Sequence, residues 1–198
     1  MHSRDQKIND AWNAFIEENE RKALDFALPF ASEGDHEACT ICALSYLYLG
    51  EYELCDYWTL KTGEFGAREI WLDSQSDNHQ LGILICRLDT LSLLGTEEFN
   101  PVLGQMVLEK YLLDPSIEFA AYYSIKAIRN MWESQLVNKD INNLAKFLVV
   151  WIWNSKFDDQ TIKSILSFLR VCTSGALSTK ESNSLISIIE ESIVKGEI

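Results

Sequence analysis

The stretch from Glu37 to Lys61 constrains the fold most, because two helical patterns meet there at Gly50. In the first pattern, apolar residues recur at the spacing of one helix face: Ala38, Cys42, Tyr46 and Leu49. In the second, the corresponding residues are Leu54, Cys55 and Trp58. A glycine between two such patterns suits a helix C-terminus, where a left-handed backbone is needed. The stretch is therefore predicted to form a helical hairpin that stacks against neighbouring helices.

Similar patterns continue on both sides of this hairpin and predict nine to eleven helices. A first helix is expected from about Arg4 to Asn19, with Ile8, Trp12, Phe15 and Ile16 on its inner face. Residues typical of helix starts recur along the chain: Ser3, Asp35, Asp114, Asp140, Asp158 and Ser178. Gly34, Gly95 and Gly175 are predicted to end helices. The predicted fold class is all-α, with antiparallel helix pairs stacked as a short α-solenoid or a repeat-like bundle.

The run from Phe147 to Trp153 is apolar nearly all round, so its helix is predicted to be the most buried. A buried β-strand is the alternative there, because the run is rich in β-branched and aromatic residues. We expect a single all-α domain over residues 1–198. It divides by charge into an acidic, repeat-like part (1–113) and a neutral helical part (114–198).

The net charge of −13 lies entirely in the first two thirds of the chain, since residues 121–198 carry 8 acids and 9 bases. Such an acidic chain is a poor direct ligand for nucleic acid or anionic membrane, and it favours a basic protein partner. A merely solubilising surface is the equally weighted alternative. The N-terminal residues lack an apolar signal core, and no apolar run reaches membrane-spanning length. Because the chain has five cysteines, an odd number that lie mostly in apolar patterns, we expect a cytoplasmic protein.

One stretch carries a repeat signal with a spacing of 32 residues: Trp58, Gly63 and Gly66 repeat Phe26, Ala31 and Gly34. The signal also includes Lys22-Ala23, Gly34-Asp35, Glu37-Ala38, Tyr46, Leu49-Gly50 and Tyr52. On these residues the chain resembles the tetratricopeptide repeats, particularly the Sel-type variant, over about Ala11 to Leu72. It departs from that family at Cys42-Ala43, where Leu-Gly is usual, and at Cys55, where alanine is usual. The resemblance implies stacked helix pairs with a partner-binding concave surface.

The chemistry-bearing residues do not form a catalytic or metal-binding pattern. Cys39 and Cys42 have the spacing of a zinc or redox pair, but no second Cys or His pair accompanies them, so core cysteines are the preferred interpretation. The histidines His2, His36 and His79 have no neighbouring nucleophile in the sequence pattern. We therefore predict a protein that is not an enzyme and needs no cofactor or metal. An enzyme on a helical scaffold is a remote alternative.

The sequence thus predicts a protein–protein interaction protein. Its acidic charge fits a bacterial immunity protein or antitoxin that neutralises a basic toxin, for example a nuclease. The alternative is a general tetratricopeptide-like adaptor or regulatory module that binds a peptide segment. By the resemblance, the groove face consists of Glu37, Thr40, Leu44 and Tyr48. The predicted acidic flank at the turn consists of Glu51, Glu53 and Asp56. The sequence leaves the oligomeric state open.

Overall fold

The computed structural model describes residues 3–62, 79–95, 101–115 and 119–195, and its secondary structure there is entirely helical. The first helices are α1 (Arg4–Ile16), α2 (Glu20–Ser32), α3 (His36–Tyr48), α4 (residues 52–62) and α5 (His79–Leu94). They are followed by α6 (Pro101–Leu112), α7 (Ala120–Glu133), α8 (Ile141–Asn154), α9 (Asp159–Ala176) and α10 (Thr179–Lys195). Neighbouring helices pack against one another, which confirms the predicted all-α, repeat-like architecture.

The chain forms two compact units, unit 1 (Met1–Leu91) and unit 2 (Ser92–Ile198). The charge boundary at residue 113/114 lies within unit 2. In unit 1, α2 packs against α1 and α3, and α3 also contacts α1. In unit 2, α6 packs on α7, α7 on α9, and α8 on α10. Successive helices are therefore not always the closest partners in unit 2.

Unit 1 repeats its local structure after 32 residues. Helices α1 and α3 begin and end at positions 32 apart, and their N-caps Ser3 and Asp35 each accept a hydrogen bond from an amide three residues later. Both helices are followed by a left-handed residue, Glu18 (φ 57°) and Gly50 (φ 69°). The spacing predicted from Phe26 and Trp58 thus extends to caps and turns, while Gly63 and Gly66 lie outside the described residues.

The turn hydrogen bonds repeat with the same spacing. The amide of Asn19 donates to the carbonyl of Ala14 (2.9 Å), and the amide of Glu51 donates to the carbonyl of Tyr46 (2.9 Å). This six-to-one bond is typical of a helix end that is followed by a left-handed residue. Glycine adopts that conformation easily, whereas a glutamate there costs roughly 1 kcal/mol. Glu18 is therefore the strained member of the pair.

Helix α3 is the most buried helix for which burial is described, with nine of its thirteen residues in the core. The prediction that α8 would be most buried is wrong, since six of its fourteen residues are buried. The reason is the extent of packing: α3 packs against α1 and α2 and α8 packs against α6 and α10, but α3 packs more closely against α2 than α8 does against α10. The predicted alternative of a strand at residues 147–153 is also wrong, because these residues are helical.

Gly175 does not end its helix as predicted. Helix α9 continues to Ala176 and is closed by Leu177, which is extended (φ −120°). A Cβ atom at position 175 would lie 2.7 Å from Cδ1 of Ile125 on α7. The glycine therefore permits the close approach of α9 to α7, and Arg129 donates a hydrogen bond to its carbonyl.

Candidate partner-binding site

Two of the residues predicted to line the groove are part of the core. Thr40 is 0% exposed and Leu44 is 1% exposed, so neither side chain is available to a partner in this conformation. The hydroxyl of Thr40 donates to the carbonyl of His36 within its own helix (2.9 Å). The prediction assumed that one long face of α3 is open, whereas these two positions are covered in the folded chain.

Glu37 is partly exposed but already engaged within unit 1. Its carboxylate accepts a hydrogen bond from Nε1 of Trp12 (3.0 Å) and lies 3.1 Å from Nη2 of Arg4. Both donors belong to α1, so Glu37 joins the start of α3 to α1. A basic partner would have to compete with Arg4 for this carboxylate.

Asp35 lies in the same group of charges. Its Oδ1 accepts the amide hydrogen of Ala38 (2.9 Å), and its Oδ2 accepts a hydrogen bond from Nε of Arg4 (2.7 Å). Burial alone would raise the pKa of Asp35, but these two donors together hold that pKa below its ordinary value of 3.8. The Arg4 pKa is raised in turn, chiefly by its hydrogen bond to Asp35.

The depressed pKa predicts an acid-sensitive contribution to stability. Because the folded-state pKa of Asp35 is below the unfolded value, its contribution is present above the unfolded pKa and is lost as the pH falls through the folded pKa. We expect Asp35→Asn, which keeps a capping side chain, to lose less stability than the wild type between about pH 6 and about pH 3. Urea unfolding followed by circular dichroism at both pH values measures this difference.

Asp25→Asn is the matched control, since Asp25 is an exposed carboxylate on α2. If Asp35→Asn and Asp25→Asn show the same dependence on pH, the network around Arg4 contributes nothing to acid sensitivity.

The acidic flank is also largely neutralised within the chain. Glu51 forms an exposed ion pair with Arg21 (2.8 Å), which ties the turn after α3 to the start of α2. Asp56 is 5% exposed and forms a buried ion pair with Arg87 of α5 (2.7 Å). Glu53, in contrast, is exposed on the first turn of α4.

The ends of α1 and α3 present a different surface, which we call the turn-edge patch and define as Ile16, Glu17, Glu18 and Tyr48. Ile16 is 74% exposed and Tyr48 is 50% exposed, at positions 32 residues apart. The Tyr48 ring contacts the ring of Phe15, with centroids 5.5 Å apart, so the two helix ends are adjacent.

The two carboxylates of the patch are exposed. Within the described part of the chain, neither Glu17 nor Glu18 forms an ion pair or an intramolecular side-chain hydrogen bond. The patch therefore combines apolar area with uncompensated negative charge.

Sequence reasoning identified Tyr48 but missed Ile16, Glu17 and Glu18. It placed Ile16 on the inner face of α1 because the residue has the correct helical spacing. Ile16 is the last residue of that helix, however, and its side chain lies beyond the packed part. The 32-residue spacing that relates Ile16 to Tyr48 was the signal that could have identified it.

Four of the five cysteines occupy core positions, as predicted, and Cys86 is partly exposed. Cys39, Cys42, Cys55 and Cys172 are buried and unpaired by disulfides. Burial raises the pKa of Cys42 to about 12, assisted by Cys39, and burial raises the pKa of Cys172 to about 11. Thiols with such values are poor metal ligands and poor nucleophiles near neutral pH.

Among the described residues, no group of three or more His, Cys, Asp and Glu side chains is arranged to hold a metal ion. None of the helices in the described segments combines the length and the apolar character needed to cross a membrane. Compared with protein-family models, curated proteins and solved structures, the chain matches none of them significantly.

Proposed function

We propose that the chain is a helical-repeat protein that binds a basic protein partner, most specifically as an immunity protein or antitoxin that neutralises a basic toxin domain. The observation that carries this proposal is the turn-edge patch, where Ile16 and Tyr48 expose apolar area beside Glu17 and Glu18. Exposed apolar residues with a polar border are a common feature of protein interaction sites.

Different residues of the patch would contribute to the affinity for a partner and to the rate of encounter. Burial of Tyr48 and Ile16 against a partner would supply most of the affinity, since a few large side chains dominate most interfaces. Glu17 and Glu18 would attract a basic surface and accelerate encounter more than they strengthen the complex. The Phe15 ring packs edge-to-face against the Tyr48 ring, so the tyrosine side chain is partly ordered before binding.

A basic partner follows from the charge around the patch. Residues 1–60 carry 12 acids and 4 bases, and Glu17 and Glu18 are not neutralised by the bases of the described segments. A toxin that acts on nucleic acid needs a basic surface for its substrate. An acidic protein that covers this surface would block the substrate directly.

The test begins with the tagged chain expressed in its native host, from which bound proteins are isolated at low salt. We expect one basic protein that is toxic when produced alone and harmless when produced with this chain. Its affinity for the purified chain should fall by about tenfold or more in Ile16→Ala/Tyr48→Ala. In Glu17→Gln/Glu18→Gln the association rate should fall and lose part of its dependence on salt.

Val171→Ala is the control, because Val171 is 56% exposed on α9 in unit 2 and is remote in sequence from the patch. It should leave binding and protection unchanged. The proposal fails if no basic partner is isolated, or if the patch variants bind as tightly as the Val171 variant.

The general adaptor is the second candidate, and the 32-residue repeat of α1 and α3 is the observation that favours it. An adaptor would bind several partners weakly, and none of them would be toxic when produced alone. The same isolation experiment therefore separates the two functions.

A further inference from the structure

Helix α4 exposes an apolar face that unit 1 does not use. Leu54 is 42% exposed, Tyr57 is 49% exposed and Leu60 is 59% exposed. The opposite side of α4 is packed and consists of Cys55, Asp56, Trp58, Thr59 and Thr62. The prediction that Leu54 shares the inner face with Cys55 and Trp58 is therefore wrong. Three large apolar residues on one exposed helix face are typical of a docking surface.

Comparison with α2 indicates that the packing of the repeat does not require apolar residues on this face. The 32-residue spacing relates Leu54 to Lys22 and Tyr57 to Asp25, and both α2 residues are exposed and charged. It relates Leu60 to Leu28, which is partly buried. At two of the three positions, the surface of α2 is thus charged where that of α4 is apolar, although the two helices have equivalent places in the repeat.

The α4 face has a symmetrical order of side chains. Leu54 and Leu60 lie three residues before and after Tyr57, and Glu53 and Lys61 lie four residues before and after it. Both charged residues are exposed, and the amine of Lys61 lies 4.4 Å from the centroid of the Tyr57 ring. The face therefore carries a negative charge at its beginning, a positive charge at its end and apolar side chains between them.

We propose that this face binds the α4 face of a second copy of the chain, with a two-fold axis near Tyr57. Packing of helices by their i±4 rows brings the row of Glu53, Tyr57 and Lys61 beside the same row of the partner copy. Two-fold symmetry reverses one row relative to the other, so each Glu53 meets the other copy's Lys61. The charge order thus favours a second copy over an unrelated partner, which would need its own complementary pattern.

The dimer is expected to be weak, because one helix face per copy makes a small interface. We expect a dissociation constant on the order of 10–100 µM, as is common for contacts at the small end of the size range. The turn-edge patch lies at the ends of α1 and α3, whereas the dimer face lies on α4. A basic partner and a second copy therefore bind to different residues.

Sedimentation velocity on the full chain, over a range of concentrations, tests the proposal. The mass of the wild type should rise from 22.7 kDa towards twice that value as its concentration increases. Glu53→Lys brings a lysine of one copy against Lys61 of the other, and Lys61→Glu brings a glutamate of one copy against Glu53 of the other. Each change should therefore weaken the dimer by about tenfold or more. The double variant Glu53→Lys/Lys61→Glu restores opposite charges and should return to within about threefold of the wild type.

Asp25→Lys, at the α2 position related to Tyr57, is the control and should dimerise like the wild type. Circular dichroism of every variant establishes that each one is folded. The proposal is overturned if the wild type remains a monomer at millimolar concentration, or if the double variant is as weak as the single ones. Binding of a basic partner is measured separately through Ile16 and Tyr48, so failure of either proposal leaves the other standing.

Discussion

Replacing Arg87 by methionine is expected to lower the free energy of unfolding of unit 1 by about 3–5 kcal/mol. The Arg87 side chain is fully buried, that of Asp56 is 8% exposed, and Nη2 lies 2.7 Å from Oδ1. The same guanidinium donates to the carbonyl of Tyr52 (3.4 Å) and lies 5.4 Å from the centroid of its ring. Methionine fills a similar volume, but it leaves the buried carboxylate without its countercharge. Urea unfolding followed by circular dichroism measures the loss.

Two comparisons isolate the effect of burial on this ion pair. Arg21→Met removes the exposed pair with Glu51, which has a similar distance of 2.8 Å, and should cost less than about 1 kcal/mol. The double variant Arg87→Met/Asp56→Leu removes both buried charges and should recover most of the stability lost in Arg87→Met. If Arg87→Met costs no more than Arg21→Met, the buried pair does not hold α5 to α4.

Leu44→Ala is expected to lower the free energy of unfolding by about 2–5 kcal/mol, because it leaves a cavity in the core beside α3. Leu44 is 1% exposed, although the resemblance to tetratricopeptide repeats assigned it to an open groove. Ile16→Ala is the matched comparison: Ile16 was assigned to the core but is 74% exposed, so its change should stay within about 0.5 kcal/mol. Thermal and urea unfolding of the two variants measure the difference.

The two variants should also differ in binding. Ile16→Ala keeps the fold and weakens the complex with a basic partner, whereas Leu44→Ala weakens the complex only as far as it unfolds unit 1. If the two variants are equally stable, the placement of Leu44 in the core and of Ile16 at the surface is wrong for the protein in solution.

Features that depend on a few adjacent residues could be predicted from the sequence. The side chains of Ser3, Asp35, Asp140 and Asp158 accept amide hydrogens at helix starts, as expected. Ser178 and Glu181 form the predicted reciprocal capping box. Such caps need no information from elsewhere in the chain. Asp114-Pro115 is an exception: α7 begins only at Ala120, because an aspartate before a proline suits a turn as well as a helix start.

Features that depend on distant neighbours could not be predicted. Helical spacing groups residues into faces, but it does not say which face is covered or by how many helices. Ile16 was misassigned for this reason. Leu44 was misassigned because the resemblance to a repeat family does not reveal which positions are covered in this chain. The charge count was a weak guide to the site for a related reason, since it does not reveal which acids already have partners. Glu37, Glu51 and Asp56 are each paired with an arginine distant in sequence.

The buried cysteines have a practical consequence. The thiolate is the form of cysteine that attacks an alkylating reagent, and burial makes the thiolate rare at Cys42 and Cys172. Modification should therefore wait until the surrounding helices separate. Cys42 belongs to unit 1 and Cys172 to unit 2. Mass spectrometry of alkylated peptides would therefore time the opening of each unit separately, in the natural chain and without an added label. Cys42, which together with Cys39 has the spacing of a metal or redox pair, would thus report with Cys172 whether the two units open together.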